Sequence, residues 1–143
     1  MATKPVKSPP LENGTILSGK YELLGVLGRG GMGVVYVGRH LKLGRRVAIK
    51  TLTTDAKLDA DACVRLEREA RAAASLKSRY VASVEDVETL PDGAPYMVME
   101  LLEGSPLDAE LETRGRLGVG EAVDFILQAC SALQEAHRAG IVH

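Results

Sequence analysis

The chain has 143 residues, enough for about one domain, and 45% of them are hydrophobic, as in a folded globular protein. Its 18 basic and 19 acidic residues leave a formal net charge of −1, which excludes the dense basic footprint of a nucleic-acid binder. No apolar run approaches the ~20 residues of a membrane span and the start lacks the apolar core of a signal peptide, so a soluble, cytoplasmic setting is expected.

In chain order, residues 1–14, "MATKPVKSPPLENG", carry three prolines, scattered charge and no apolar period. They read as part of a flexible leader spanning 1–20. From Tyr21 onward "KYELLGVLG", "GVVYVGRHL" and "RRVAIKTL" are strand-like and separated by short turns, one at Gly44, which predicts an antiparallel meander. The segment "DADACVRLEREARAAASL" has helical spacing, with Asp59 or Asp61 available to cap its start. Two further strands, "YVASVEDVETL" and "APYMVMELL", flank the turn Pro91–Gly93. A short helix around Leu107 to Thr113 and a longer one from about Val119 to Ala139 follow, with Gly140 as the stop of the second. Cys63 and Cys130 fall in separate helical segments and read as small core residues rather than a disulfide. His40 and His137 have no partners at metal spacing and are expected at the surface.

The stretch "LGRGGMGVVY" places four glycines inside ten residues. Crowded glycines allow a backbone to approach a phosphate closely. In a dinucleotide-binding unit the last glycine opens a helix, but Gly33 is followed by Val34, Val35, Tyr36 and Val37, all strand formers. A Walker loop is excluded too, since no Gly-Lys-Ser/Thr follows. A glycine-rich hairpin remains, with Gly28, Gly30, Gly33 and Val35 in the pattern G-x-G-x-x-G-x-V. The same residues also fit an ordinary loose hairpin.

Lys50 ends the apolar run "VAIK". Its stem can snorkel past a core, or its charge can have an acidic partner. On the following helix Ala62, Leu66, Ala70 and Ala73 fall on one stripe, and Glu69 lies within that arc whereas Glu67 points away. A carboxylate on a packing face is costly unless paired, which nominates Lys50 as the partner of Glu69. The competing arrangement pairs Glu69 with Arg65 or Arg68 along the helix. A lysine held by a glutamate is a positioned counter-charge for the phosphates of a bound triphosphate.

Glycine loop, V-A-I-K and helix glutamate occur here in the order and spacing of the eukaryotic-type protein kinases, and the chain most resembles their bacterial Ser/Thr members. The resemblance spans residues 21–143 and implies an α+β fold: a kinase N-lobe of five antiparallel strands plus helix C over 21–103, then a hinge and the first helices of a C-lobe over 104–143. By the match to "PYMVMELLEG", Met99 is the gatekeeper, and the Glu100 carbonyl and Leu102 amide meet the adenine edge. Leu27, Val35 and Ala48 roof the ring; Lys50 and Glu69 are the catalytic pair. The implied activity is transfer of the ATP γ-phosphate to protein hydroxyls, and the Ser/Thr preference rests on the resemblance alone.

"IVH" resembles the opening of the family's catalytic loop, which makes His143 its histidine. The catalytic aspartate, the metal-binding asparagine and the D-F-G motif are absent from these residues, so Mg²⁺ ligands are expected outside this chain, and the chain alone is expected to be inactive. The last helix, with Ala122, Ile126, Ala129, Cys130 and Leu133 on one face, reads as core whose cover is missing. That favours a fragment of a longer kinase. The alternative is a truncated, non-catalytic module that binds nucleotide or docks on a partner covering that helix.

Overall fold

The computed structural model describes residues 11–31, 33–57 and 59–142. Its six strands are β1 (Ile16–Leu17), β2 (Tyr21–Arg29), β3 (Gly33–His40), β4 (Arg46–Leu52), β5 (Val84–Thr89) and β6 (Pro95–Glu100). Four helices accompany them: α1 (Thr54–Lys57), α2 (Ala60–Ser75), α3 (Leu107–Arg114) and α4 (Val119–Arg138). The strands form one antiparallel sheet in the order β1-β2-β3-β4-β6-β5.

Side chains alternate across a strand, and here the alternation divides two cores. Val34, Tyr36, Val47, Ile49, Tyr96 and Val98 share one buried cluster with Leu17, Tyr21 and Leu23. Leu52 and Met97, on the opposite face, pack against Ala62, Leu66 and Ala70 of α2, with Met99 alongside. The expected helical stripe is therefore the face that docks, and burying Leu66 alone contributes about 1.5–3 kcal/mol. Of the two candidate caps, Asp59 is the one used: its carboxylate accepts the Asp61 N–H at 3.0 Å. The single-turn α1 was not legible in the sequence pattern.

Residues 11–20 differ from the expected leader, of which 1–10 lie outside the described residues. The Leu11 N–H donates to the Tyr36 hydroxyl at 3.0 Å, and Leu11 packs on the first core. Gly14 N–H donates to the Leu23 carbonyl at 2.7 Å, and Leu23 N–H donates to the Thr15 carbonyl at 2.9 Å. Strand β1 then pairs with β2 and buries Leu17, adding a sixth strand to the five expected. Isolated apolar residues give no period, so only contact with the sheet reveals their role.

A polar seam ties this edge to β5 across the sheet. The Tyr21 hydroxyl donates to Asp86 at 3.0 Å, the Tyr96 hydroxyl bonds Ser18 at 2.7 Å, and Lys20 pairs with Asp86 and Glu88. Burial, reinforced by the Asp86 carboxylate, pushes the Tyr21 hydroxyl up to about 12. His40 packs edge-on against the Tyr21 ring and is half-buried rather than fully at the surface; His137 is exposed.

Helix α4 stops where expected: Gly140 takes a φ of 75°, which glycine adopts without a Cβ penalty. Its apolar face is not core in this chain. Ile126 is 63% exposed, and Val123, Phe125, Leu127, Cys130 and Leu133 are exposed as well, while Ala136 alone on the helix is buried. Cys130 thus departs from the expected buried position because nothing among the described residues covers that face, whereas Cys63 is half-buried against the second core; both are free thiols.

Candidate active site

The register of four strands assembles the site. Gly28 faces Val35, Val35 faces Lys50, and Lys50 faces Met97, a single row crossing β2, β3, β4 and β6. The next row runs Val37, Ala48, Met99. Facing residues share a face of the sheet, so Val35, Ala48, Lys50 and Met99 line the same side. This is the α2 side, opposite the larger core.

Lys50 Nζ stands 3.0 Å from Glu69 Oε2. The competing arrangements along α2 are not formed: Arg65 pairs with Asp59, and Arg71 pairs with Glu67. The pairing inferred from the helical stripe is present, but for a different physical reason. Glu69 sits at the rim of the stripe with 52% of its side chain exposed, and Lys50 keeps 33%. Desolvation therefore does not force the pair together. An ion pair this exposed contributes only about 0–1 kcal/mol, so its consequence is the placement of a cation rather than stability.

The described residues of the glycine hairpin are closely held. The Gly30 N–H donates to the Gly33 carbonyl at 2.8 Å and closes the tip. At Gly33, the first residue of β3 and opposite Leu52, an added Cβ would lie 2.7 Å from the Thr51 carbonyl oxygen and 3.8 Å from Lys50 Cε, so the hairpin's return strand sits hard against the strand that carries the lysine. Gly28 and Gly31 have no protein atom within 4 Å of such a Cβ. A bulge between Val26 and Gly28 interrupts the ladder at Leu27, which is 55% exposed. Ala48 is buried, and Val35 is half-buried.

Glu100 ends β6 opposite Val47, and Leu102 lies beyond it, exposed, in the connection to α3. The strands thus place Gly28, Gly33, Val35, Ala48, Lys50 and Met99 in neighbouring rows, with Glu69 supplied by α2, while Gly30 lies in the hairpin tip and Glu100 takes the alternate row opposite Val47. Two contributors had no local signal: Met97, which faces Lys50, and the Thr51 carbonyl beside Gly33. Only the strand register reveals them. His143 lies outside the described residues. Among the described residues, no three His, Cys, Asp or Glu side chains converge to hold a metal ion. No described helix is long and apolar enough to cross a membrane.

The protein kinase domain family matches residues 21–143. The chain is 41% identical over 125 residues to the serine/threonine-protein kinase Pkn1 of Myxococcus xanthus, covering 87% of this chain and 18% of that kinase. It is 42% identical over 134 residues to the serine/threonine-protein kinase PknA of Mycobacterium tuberculosis, covering 91% of this chain and 31% of that kinase. The chain therefore spans less than a third of the length of these curated relatives. Its fold matches the crystal structure of the Mycobacterium tuberculosis PknI kinase domain with a TM-score of 0.79 at 26% identity, over 94% of this chain and 53% of that one. The hairpin, the lysine strand and the paired helix thus sit in a fold and a sequence frame shared with these enzymes, and the chain belongs to the protein kinase family.

Proposed function

We propose that residues 21–103 are the ATP-binding lobe of a Ser/Thr protein kinase and that 104–143 begin its second lobe. The observation that carries this reading is the Lys50–Glu69 pair on the α2 side of the sheet, beside a glycine hairpin whose return strand is pressed against the lysine strand. Lys50 supplies a fixed positive charge to the α- and β-phosphates, and Glu69 holds it there. Gly28, Gly30 and Gly33 bring backbone N–H groups close to the same phosphates. Leu27, Val35 and Ala48 cover the adenine ring, Met99 bounds its depth, and the Glu100 carbonyl and Leu102 N–H take its polar edge.

Phosphoryl transfer depends on positioning and electrostatic stabilisation more than on covalent chemistry. These residues provide the positioning of the donor. Mg²⁺ accompanies ATP in kinases and screens the charge of its phosphates; the described residues contain no cluster that fits it, and this reading assigns its ligands to the part of the curated relatives' length that this chain does not span. The group that accepts the proton of the protein hydroxyl belongs there too. The exposed face of α4 is the surface against which that polypeptide, or a partner in its place, packs.

Titration of the 143-residue chain with ATP tests the reading. Saturable binding that Lys50→Met weakens at least tenfold supports it, and binding indifferent to Lys50→Met refutes the role of the lysine. Sequencing the transcript past the codon for His143 tests the rest: an in-frame Arg-Asp and a later Asp-Phe-Gly are expected, and an immediate stop codon favours the non-catalytic, partner-docking module.

A further inference from the structure

In a regular antiparallel ladder two facing residues exchange both backbone N–H···O=C bonds or neither. Ser83 and Glu100 depart from this where β5 and β6 meet the connection to the helices. The Glu100 N–H donates to the Ser83 carbonyl at 3.0 Å. The Ser83 N–H, however, donates to the Glu100 side-chain Oε1 at 2.7 Å, and the reciprocal backbone bond to the Glu100 carbonyl is not formed. A register shift between Val84 and Asp86 disturbs the ladder next to this pair. A carboxylate accepting an N–H is the stronger kind of hydrogen bond, so it outcompetes the carbonyl for the one donor available.

The consequence falls on the carbonyl. In an ordinary ladder the sheet would claim the oxygen of residue 100; here the carboxylate of the same residue takes the Ser83 N–H instead. We infer that the Glu100 side chain is a positioning residue for base recognition: by engaging the Ser83 N–H it keeps that amide from claiming the Glu100 carbonyl, leaving the carbonyl to accept the exocyclic amine of adenine, and so favours adenine over purines lacking that amine. This rests on the reading of residues 99–102 as the base-binding segment. Glu100 itself is half-buried and need not touch the nucleotide with its side chain.

Two measurements on the isotopically labelled 143-residue chain test it. The first reads through-hydrogen-bond NMR coupling from the Ser83 amide nitrogen. Coupling to the Glu100 side-chain carboxyl carbon is expected in the wild type, and to the backbone carbonyl carbon of residue 100 in Glu100→Ala. The second compares titrations with ATP and with purine riboside triphosphate, which lacks the 6-amino group. Glu100→Ala is expected to weaken ATP binding about two- to tenfold, the worth of one hydrogen bond, and to leave purine riboside triphosphate unchanged. Glu100→Gln keeps an acceptor oxygen but loses the charge that lets it outcompete the carbonyl, and is expected to fall between wild type and the alanine variant. Glu100→Asp, one methylene short of Ser83, is expected to repeat the alanine result while keeping the charge, and it serves if the alanine variant does not fold. Equal weakening of both nucleotides, or no weakening of ATP, overturns the inference. Wild-type coupling to the backbone carbonyl overturns the clasp alone, and a wild-type chain that binds neither nucleotide overturns the nucleotide reading and with it the purpose of the clasp.

Discussion

Lys50 and Glu69 meet at 3.0 Å across the junction of β4 and α2, and neither is buried enough for the pair to be a folding requirement. The glutamate arrives because Ala62, Leu66 and Ala70 dock on Leu52 and Met97 and fix the rotation of the helix. The lysine arrives because it alternates with Ile49 and Thr51 and so emerges on the α2 side of the sheet.

Replacing either member should therefore separate function from stability. Lys50→Met and Glu69→Gln are each expected to change the unfolding free energy by less than about 1 kcal/mol. Chemical denaturation monitored by circular dichroism checks this, alongside ATP titration, where both variants are expected to bind more weakly. A loss of several kcal/mol in either variant would show that the pair is structural after all.

Leu66→Ala should do the reverse. The side chain is fully enclosed between α2 and the sheet, and truncation of such a leucine costs about 2–5 kcal/mol. Its midpoint of thermal unfolding is expected to fall clearly, and nucleotide affinity to fall with it because α2 carries Glu69.

The glycines of the hairpin should divide into two kinds. Gly33→Ala places a Cβ 2.7 Å from the Thr51 carbonyl oxygen, a backbone atom that cannot swing aside. A destabilisation of about 1–3 kcal/mol is expected. Gly28→Ala meets no protein atom within 4 Å, so its unfolding curve should overlay the wild type while its affinity for ATP drops. Equal effects of the two substitutions on stability would contradict the close approach at Gly33.

Alkaline pH should loosen the edge of the sheet. The Tyr21 hydroxyl is pushed up to about 12 in the folded chain, first by burial and then by Asp86, against about 10 in an unfolded one. Its contribution is complete below pH ~10 and is lost as pH rises toward ~12, because the unfolded state gives up the proton first. Stability measured from pH 8 to 12 is expected to decline over that window, and Tyr21→Phe should flatten the decline. An unchanged slope in the phenylalanine variant would assign the loss to other groups.

The face of α4 offers a contrasting control. Ile126→Ser, at a position 63% exposed, is expected to leave the unfolding free energy of the 143-residue chain within about 0.5 kcal/mol and to reduce self-association measured by sedimentation. A large destabilisation would mean that the face is covered in solution.

Local pattern was enough for much of this protein. β-branched runs and turn residues marked β2 to β6, helical spacing marked α2 and α4, and the strand formers after Gly33 excluded a helix there. The Lys50–Glu69 pair was nominated from the sequence as well, but on the cost of a carboxylate within an apolar arc, whereas Glu69 is half-exposed at the rim of that arc and meets Lys50 because α2 docks at this rotation. Three things were not legible. The strand order places β6 between β4 and β5, and pairing between segments distant in sequence leaves no periodic trace in either. Residues 11–20 join the sheet by backbone pairing with β2 and by polar contacts, and pack only Leu11 and Leu17 on the core, too few apolar residues to form a pattern. The clasp between Ser83 and Glu100 depends on register and on one side chain displacing a backbone carbonyl. Periodicity reports which face a residue takes; only packing decides which residues face one another, and the site is made of those encounters.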